Sequence, residues 1–160
     1  MVGDAPYADA YKQKLHDLAS DHPRIHFPGY VFGSGYEQLR HHAGAWVQAT
    51  EVGGTHPALL EAMAAGLPIA ANDIPEHREV LGDAGLYYAW NDPDSLADCL
   101  RNLTGFAANN DLSLSLGEAA RHRVEELYSW DVIVEAYERL FERLRDHPRS
   151  ALLAGGEALG

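Results

Sequence analysis

Cysteine and long apolar runs are scarce in this chain of 160 residues. The single cysteine, Cys99, excludes an internal disulfide and is typical of a reducing cytoplasm. Its place in DSLADCLRNL predicts a small buried side chain rather than a nucleophile. No apolar stretch approaches the ~20 residues of a membrane span, and the opening residues lack the basic and apolar regions of a secretory signal. We therefore expect a cytoplasmic protein.

Basic residues are scarce as well. The chain has 12 Lys and Arg against 24 Asp and Glu, which gives a formal net charge of −12. Binding to a phosphate backbone needs clustered cations, so this composition argues against a nucleic acid partner. It also weakens the case for binding to an anionic membrane surface.

Familiar catalytic and metal-binding patterns are missing. The sequence has no Gly-x-Ser-x-Gly segment, and its diglycine segment lacks the Gly-Lys-Ser/Thr ending of a Walker A loop. His41 and His42 are adjacent and point to different sides of a helix, so they cannot hold one ion together. His56 and His77 each lack a second ligand at the usual sequence spacing. The sequence therefore predicts neither hydrolase chemistry nor a metal site.

Short β-rich apolar runs alternate with amphipathic stretches, which is typical of βαβ units around a parallel sheet. Predicted helices cover residues 7–20, 37–42, 55–65, 75–81, 114–128 and 132–145, and another is opened by Asp92 or Asp94 and continues to residue 103. Predicted strands cover residues 24–27, 45–49, 68–71 and 86–88. The expected fold is α/β, a Rossmann-like parallel sheet with helices on both faces. One domain of residues 1–147 is expected, with a flexible tail of residues 148–160.

The most informative segment is GGTHPALLEAMAAGLPIAANDIPEHREV at residues 53–80. It passes from a glycine-rich turn into a short helix and then an apolar strand. Gly53 and Gly54 let the backbone approach a ligand closely, and Thr55 is the candidate helix cap. Pro57 suits the first turn of the helix but has no N–H to donate.

A helix N-terminus behind a glycine turn suits a phosphate or a pyrophosphate. The backbone N–H groups that could donate to it belong to Thr55, His56 and Ala58. Glu61 follows about one helical turn later, at ~1.5 Å of rise per residue. A carboxylate at that offset can accept hydrogen bonds from both hydroxyls of a ribose.

This segment resembles the donor-binding motif of the retaining glycosyltransferases of group 1 (family 4), which have the GT-B fold. The resemblance continues through residues 72–100 and into residues 129–144. The motif of that family is Glu, seven residues, Glu. Its second glutamate corresponds to Glu61, so the resemblance assigns Glu61 to the ribose of a nucleoside diphosphate sugar. Its first glutamate, which contacts the transferred sugar, falls on Gly53; Glu51 and Glu76 are the other candidates for sugar contact.

The same resemblance places the nucleobase beside Tyr30 and Val31, in the loop GYVF. It implies no bound metal and no cofactor, because the nucleoside diphosphate sugar is the substrate. The catalytic residues remain unknown, since no base for an acceptor hydroxyl is recognised in this chain.

The segment VGDAPY, at residues 2–7, resembles the end of a strand in that family. The resemblance implies a preceding βα unit, whose Arg and Lys neutralise the diphosphate, and an acceptor-binding domain before it. We expect either a fragment of a longer enzyme, or a natural short chain that has lost this half of the machinery, with the missing acceptor domain or a partner chain supplying it. A sheet without its first strand exposes an edge, which predicts a homo-oligomer formed through that edge.

The function that the resemblance implies is that of a donor domain for retaining transfer to an acceptor hydroxyl, in polysaccharide or glycoconjugate synthesis. Two alternatives stay open. One is a non-catalytic nucleotide-sugar-binding or assembly module, which the glycine at position 53 favours. The other is a nucleotide-sugar epimerase of the same architecture, against which the succession of LLEAMAAG and PEHREV argues.

Overall fold

The sheet consists of three short parallel strands in a computed structural model that describes residues 1–104 and 110–146. The strands are β1 Trp46–Gln48, β2 Ile69–Asn72 and β3 Leu86–Tyr88. The helices are α1 Asp9–Ala19, α2 Gly33–His41, α3 Pro57–Ala64, α4 Pro75–Leu81, α5 Pro93–Thr104, α6 Asn110–Tyr128 and α7 Trp130–Asp146. The predicted tail at residues 148–160 lies outside the described residues.

The strands follow the order β1-β2-β3, and both pairs are parallel. Because α3 connects β1 to β2 and α4 connects β2 to β3, the chain forms two successive βαβ units. Every residue of the central strand β2 is buried, so protein covers both of its faces. The expected α/β fold with a parallel sheet is confirmed.

A cluster of apolar side chains packs α5 against the sheet. Ala70 of β2 and Tyr88 of β3 contact Cys99 and Leu103 of α5 in this cluster. Burial raises the pKa of the Cys99 thiol, and its Sγ donates to the carbonyl oxygen of Tyr87 at 3.5 Å. The prediction that Cys99 is a small buried side chain is confirmed.

The start of α5 decides between the two aspartates that could open it. Asp92 Oδ1 accepts hydrogen bonds from the backbone N–H groups of Asp94 and Ser95, at 3.0 Å each. A carboxylate in this position satisfies N–H groups that the helix itself leaves unpaired. Asp92 is therefore the cap, and α5 begins at Pro93.

Helix α6 approaches α3 so closely that one position admits only glycine. A Cβ atom at Gly117 would lie 2.2 Å from the carbonyl oxygen of Gly66, which follows α3. Leu59 and Met63 of α3 are fully buried, so the helix that follows the diglycine segment is anchored in the core. The N-terminus of α3 is thereby fixed by packing along the rest of the helix.

Residues Met1–Ala43 form a compact unit separate from the unit that begins at Gly44. The strand predicted at residues 24–27 is wrong. The N–H of Ile25 closes a turn by donating to the carbonyl of His22 at 2.9 Å, and Pro28 has no N–H to offer a ladder. The parallel pairing in this unit is a single bridge between Val2 and Gly29.

Candidate functional site

Polar side chains join the carboxyl ends of the strands. Gln48 at the end of β1 donates from Nε2 to Thr50 Oγ1 at 2.8 Å. Asn72 at the end of β2 donates from Nδ2 to the Thr50 carbonyl at 3.3 Å, and the Tyr88 hydroxyl of β3 donates to the Gln48 carbonyl at 3.3 Å. These bonds fix the loop that leaves β1, at the edge where open α/β sheets bind their ligands.

That loop ends in the diglycine bend, residues 53–54, directly before α3. Gly53 has a φ of +138°, a backbone conformation that favours glycine. His56 is the N-cap residue of α3, in an extended conformation, and no side chain caps this terminus. The prediction that Thr55 caps the helix is wrong, because the helix begins one residue later than the hydroxyl would require.

The first turn of α3 leaves backbone donors available. The N–H groups of Leu59 and Leu60 both donate to the His56 carbonyl, at 2.9 and 3.2 Å. Within the described part of the chain, no acceptor is found for the N–H groups of Thr55, His56 and Ala58. These are the donors that the sequence predicted for a phosphate, and the structure brings them together at one helix terminus.

The side chain of His56 explains why position 53 is glycine. A Cβ atom built on Gly53 would lie 2.8 Å from Cε1 and 3.2 Å from Nε2 of the His56 ring. Any larger residue would therefore have to displace this imidazole as well as adopt a strained φ. A glutamate at position 53 would therefore require the His56 ring to move.

Sequence reasoning missed a contact between the two histidines that it had considered one at a time. The ring centroids of His56 and His77 are 5.5 Å apart, although the residues belong to different βαβ units. His77 is fully buried in α4, and its Nδ1 lies 2.8 Å from the Asn72 carbonyl. The Nε2 atoms of both rings and Oδ1 of Asn72 are buried without a hydrogen-bond partner.

The carboxylates predicted to contact the donor lie on different elements around this edge. Glu61 is exposed in the second turn of α3, four residues after Pro57, and Glu76 is half-buried in the first turn of α4. Glu51 is exposed in the loop after β1. Burial is the main cause that raises the pKa of the Tyr88 hydroxyl, and the Glu51 charge adds to it, so Glu51 is within electrostatic reach of the carboxyl edge.

An ion pair flanks the same edge. Asp73 follows β2 directly, and its Oδ2 accepts a hydrogen bond from Arg78 Nη2 at 2.7 Å. This bond lowers the pKa of the Asp73 carboxyl. The Arg78 guanidinium lies 4.4 Å from the centre of the Tyr87 ring, so the pair rests on an aromatic face.

The two residues predicted for the nucleobase belong to the first unit. Tyr30 is 54% exposed, and its ring stacks on that of Phe32 at a centroid distance of 5.7 Å. Val31 is half-buried, with Cγ1 lying 3.2 Å from the position of a Cβ on Gly35. An exposed tyrosine face is suited to stacking on a base.

Two classes of feature are not found in residues 1–104 and 110–146. No group of three or more His, Cys, Asp or Glu side chains is arranged to hold a metal ion there. None of the helices in this part of the chain combines the length and the apolar character needed to cross a bilayer.

Comparison with known proteins identifies relatives of this sequence. A family model described as Glycosyl transferases group 1 matches residues 1–105. An exopolysaccharide phosphotransferase of Streptomyces coelicolor is 42% identical over 97 residues, which are 57% of this chain and 10% of that protein. A sulfoquinovosyl transferase of Arabidopsis thaliana is 29% identical over 137 residues, which are 81% of this chain and 25% of that protein.

Solved structures share the fold. A sucrose-phosphate synthase from Thermosynechococcus elongatus superposes with a TM-score of 0.74 at 23% identity, over 91% of this chain and 38% of its own. A glycosyltransferase from Rickettsia africae superposes with a TM-score of 0.79 at 19% identity, over 92% of this chain and 40% of its own. The chain thus spans less than half the length of each relative. Since the family model covers more than half of its residues, this chain belongs to the group 1 glycosyltransferases and has the fold of their GT-B members.

Proposed function

We propose that this chain is the donor domain of a glycosyltransferase, which binds a nucleoside diphosphate sugar for transfer to an acceptor hydroxyl with retention of configuration. The observation that carries the proposal is the start of α3 behind the diglycine bend, at the carboxyl edge of a parallel sheet. Three backbone N–H groups there have no acceptor in the described chain. The diphosphate binds to them, and their fixed dipoles stabilise the charge that develops as the sugar departs.

The ribose is held by Glu61. Glu61 is four positions after Pro57, so its Cα lies about 6 Å further along the helix axis than that of Pro57. Its two carboxylate oxygens suit a vicinal diol. The sugar is bound by Glu76 with Glu51, since position 53 offers only its backbone.

Membership of the family supports the reaction class, and the names of two relatives support the product class. One relative is an exopolysaccharide phosphotransferase and the other a sulfoquinovosyl transferase. We therefore place the transfer in polysaccharide or glycoconjugate synthesis. None of the residues to which we assign a role forms the acceptor site or acts as the base for the acceptor hydroxyl. Self-association through the exposed N-terminal side of the sheet stays a prediction that sedimentation tests.

Titration calorimetry of the full chain with UDP, GDP and their sugars tests the proposal. Saturable binding of one nucleoside diphosphate, and of its sugar, is the expected result. Inorganic pyrophosphate separates a general anion site from a nucleotide site, because it lacks the ribose that Glu61 holds. Failure of every nucleotide to bind, or equal binding of pyrophosphate, would reject the proposal.

A non-catalytic binding module is the second candidate, because the glycine at position 53 replaces a sugar-contacting carboxylate. The two candidates share the binding site and differ only in turnover. Incubation with the donor that binds and simple acceptors distinguishes them by analysis of the released sugar. Transfer supports the enzyme, and release of an epimerised sugar supports an epimerase. A donor that binds and stays intact supports the module when an acceptor domain or partner chain has been supplied as well.

A further inference from the structure

Helix α7 carries a row of large apolar side chains that the described chain leaves exposed. These residues recur at intervals of four, three and four positions, so they lie on one side of the helix. Each of them is between 49% and 82% exposed: Trp130, Val134, Tyr137 and Phe141. No α7 side chain is buried within residues 1–104 and 110–146. We call these four residues the aromatic seam.

The period of the aromatic seam is that of a helix packed against another helix. An average interval of about 3.5 residues keeps apolar side chains in contact with a partner helix along its length. The rings of Tyr137 and Phe141 are neighbours at a centroid distance of 6.0 Å, so the seam is a continuous surface. Single exposed apolar residues are ordinary on a protein, whereas a continuous row marks an interaction surface. The spacing thus indicates a helix as the occupant.

The charges of α7 are divided between its two ends. Residues 130–138 include three acidic side chains and no basic one, whereas residues 139–146 include three arginines and two acidic side chains. Asp131 is in the first turn and Arg145 in the last, two heptads apart, so both lie on the same flank of the seam. A second α7 placed antiparallel brings Asp131 of each copy close to Arg145 of the other. A parallel arrangement places the acidic ends together, which is unfavourable.

A membrane surface fits this helix less well than a protein does. Amphipathic helices that bind anionic lipid carry Lys and Arg beside the apolar face. On α7, Asp131 and Glu138 flank the seam instead, in a chain with a formal net charge of −12. The charge pattern therefore favours a protein partner over lipid, and the match between the two ends of the helix favours a second copy.

The exposed area of the seam is sufficient for a weak dimer. An aromatic side chain offers about 150 to 250 Å² of surface, and the three rings of the seam are 57% to 82% exposed. Each copy therefore presents about 300 to 500 Å² of aromatic surface, to which Val134 adds. Two copies that cover each other bury close to the roughly 1,000 Å² expected of a specific interface. A Kd in the micromolar range is expected for such a contact.

We propose that the aromatic seam binds the seam of a second copy of this chain, with the two α7 helices antiparallel. This interface lies on α7 and not on the exposed side of the sheet, so substitutions in the two places distinguish the two routes to self-association. It does not depend on what the donor site binds.

Sedimentation equilibrium of the full chain over the micromolar range tests the interface, with a monomer–dimer equilibrium as the expected result. Phe141→Asp places a charge in the seam of both copies. We expect the Kd of the dimer to rise at least about 30-fold, as for the loss of a central aromatic contact. Leu114→Asp is the matched control, because Leu114 is exposed on α6, and it should leave the Kd within about twofold. Tyr137→Asp replaces Phe141→Asp if circular dichroism shows that the latter does not fold.

Exchange of the two end charges tests the orientation. Arg145→Glu removes the opposite charge that each Asp131 meets, so the Kd should rise about 3-fold to 10-fold at low salt. Adding Asp131→Arg to the same chain restores the attraction in an antiparallel pair and should return the Kd to within about twofold of the natural chain. In a parallel pair each position meets its own counterpart, so like charges face each other in all three chains and no rescue occurs. Absence of rescue overturns the antiparallel arrangement.

Two other results would overturn the proposal as a whole. A natural chain that stays monomeric at every concentration would mean that a second copy does not cover the seam. A dimer that survives Phe141→Asp but is lost in Val47→Lys would assign self-association to the edge strand β1, where Val47 is exposed.

Discussion

The interior of the sheet and its carboxyl edge differ in the kind of group that they bury. Around β2, apolar side chains such as Leu59, Ile69 and Leu81 are fully buried. At the carboxyl edge, Asn72 Oδ1 and the Nε2 atoms of His56 and His77 are buried with no partner. The core therefore supplies stability, and the edge retains unsatisfied polar groups at a cost. Such costs are retained where a fold positions groups for function.

Truncation of a core residue should lower the free energy of unfolding more than any other change considered below. Leu59 is fully buried in α3, so Leu59→Ala removes apolar contacts and leaves a cavity. We expect it to lower the free energy of unfolding by about 2 to 5 kcal/mol. Urea unfolding followed by circular dichroism measures the change.

Leu114→Ala is the control for that substitution. Leu114 belongs to α6 and is 58% exposed, so its truncation should change the free energy of unfolding by less than about 0.5 kcal/mol. Equal losses for the two leucines would mean that the distinction between core and surface drawn here is incorrect.

A methyl group at Gly117 tests the closest contact within the core. Because its Cβ would lie 2.2 Å from the Gly66 carbonyl oxygen, Gly117→Ala must push α6 away from α3. We expect a loss of about 1 to 3 kcal/mol in the free energy of unfolding, measured as for Leu59. Gly44→Ala is the control, since a Cβ there meets nothing within 4 Å and its φ is not positive. A harmless Gly117→Ala would show that the two helices are not in such tight contact.

Glu61→Ala should affect the edge and spare the core. Loss of a charged hydrogen-bonding partner is expected to weaken nucleotide binding by about 1 to 3 kcal/mol, while unfolding changes by less than about 1 kcal/mol because the residue is exposed. Calorimetry and urea unfolding of the same samples separate the two effects. Glu118→Ala is a matched control, since this glutamate is exposed on α6. If binding survives Glu61→Ala unchanged, the ribose assignment is wrong.

Local pattern was enough to predict the core, since adjacent residues encode its elements. The β3 strand was predicted at the bounds it has, Leu86–Tyr88, because an apolar run between turn residues leaves little choice. The prediction of a strand at residues 24–27 was wrong because this segment has no partner strand in the described chain. A local sequence pattern does not show whether a partner strand is present. The carboxyl edge depends on contacts between distant segments. His56 and His77 meet only because β1 and β2 are neighbours, so their pairing needed the three-dimensional structure.

The Asp73–Arg78 pair lies at the carboxyl edge, but unlike Asn72 and the two histidines it is paired by two hydrogen bonds. The hydrogen bond from Arg78 lowers the pKa of Asp73 below 3.8 in the folded chain, so the folded state binds fewer protons than the unfolded state in acid. Its stabilisation is complete above the unfolded pKa and is lost as pH falls through the folded pKa. The side chains are 38% and 56% exposed, so water screens the pair and we expect the smallest of the effects predicted here.

Urea unfolding of the natural chain and of Asp73→Ala, from neutral pH down to about pH 3, measures this linkage. The difference between the two should shrink as the solution is acidified. Asp98→Ala is the control, because the Asp98–Arg101 pair is 71% exposed on both sides and should give almost no difference at any pH. A difference for Asp73→Ala that stays constant with pH would mean that Asp73 stabilises the edge through packing and not through its charge. The edge would then be stabilised at this position by packing, as the core is. The polar groups without a partner at the edge would be those of His56, His77 and Asn72.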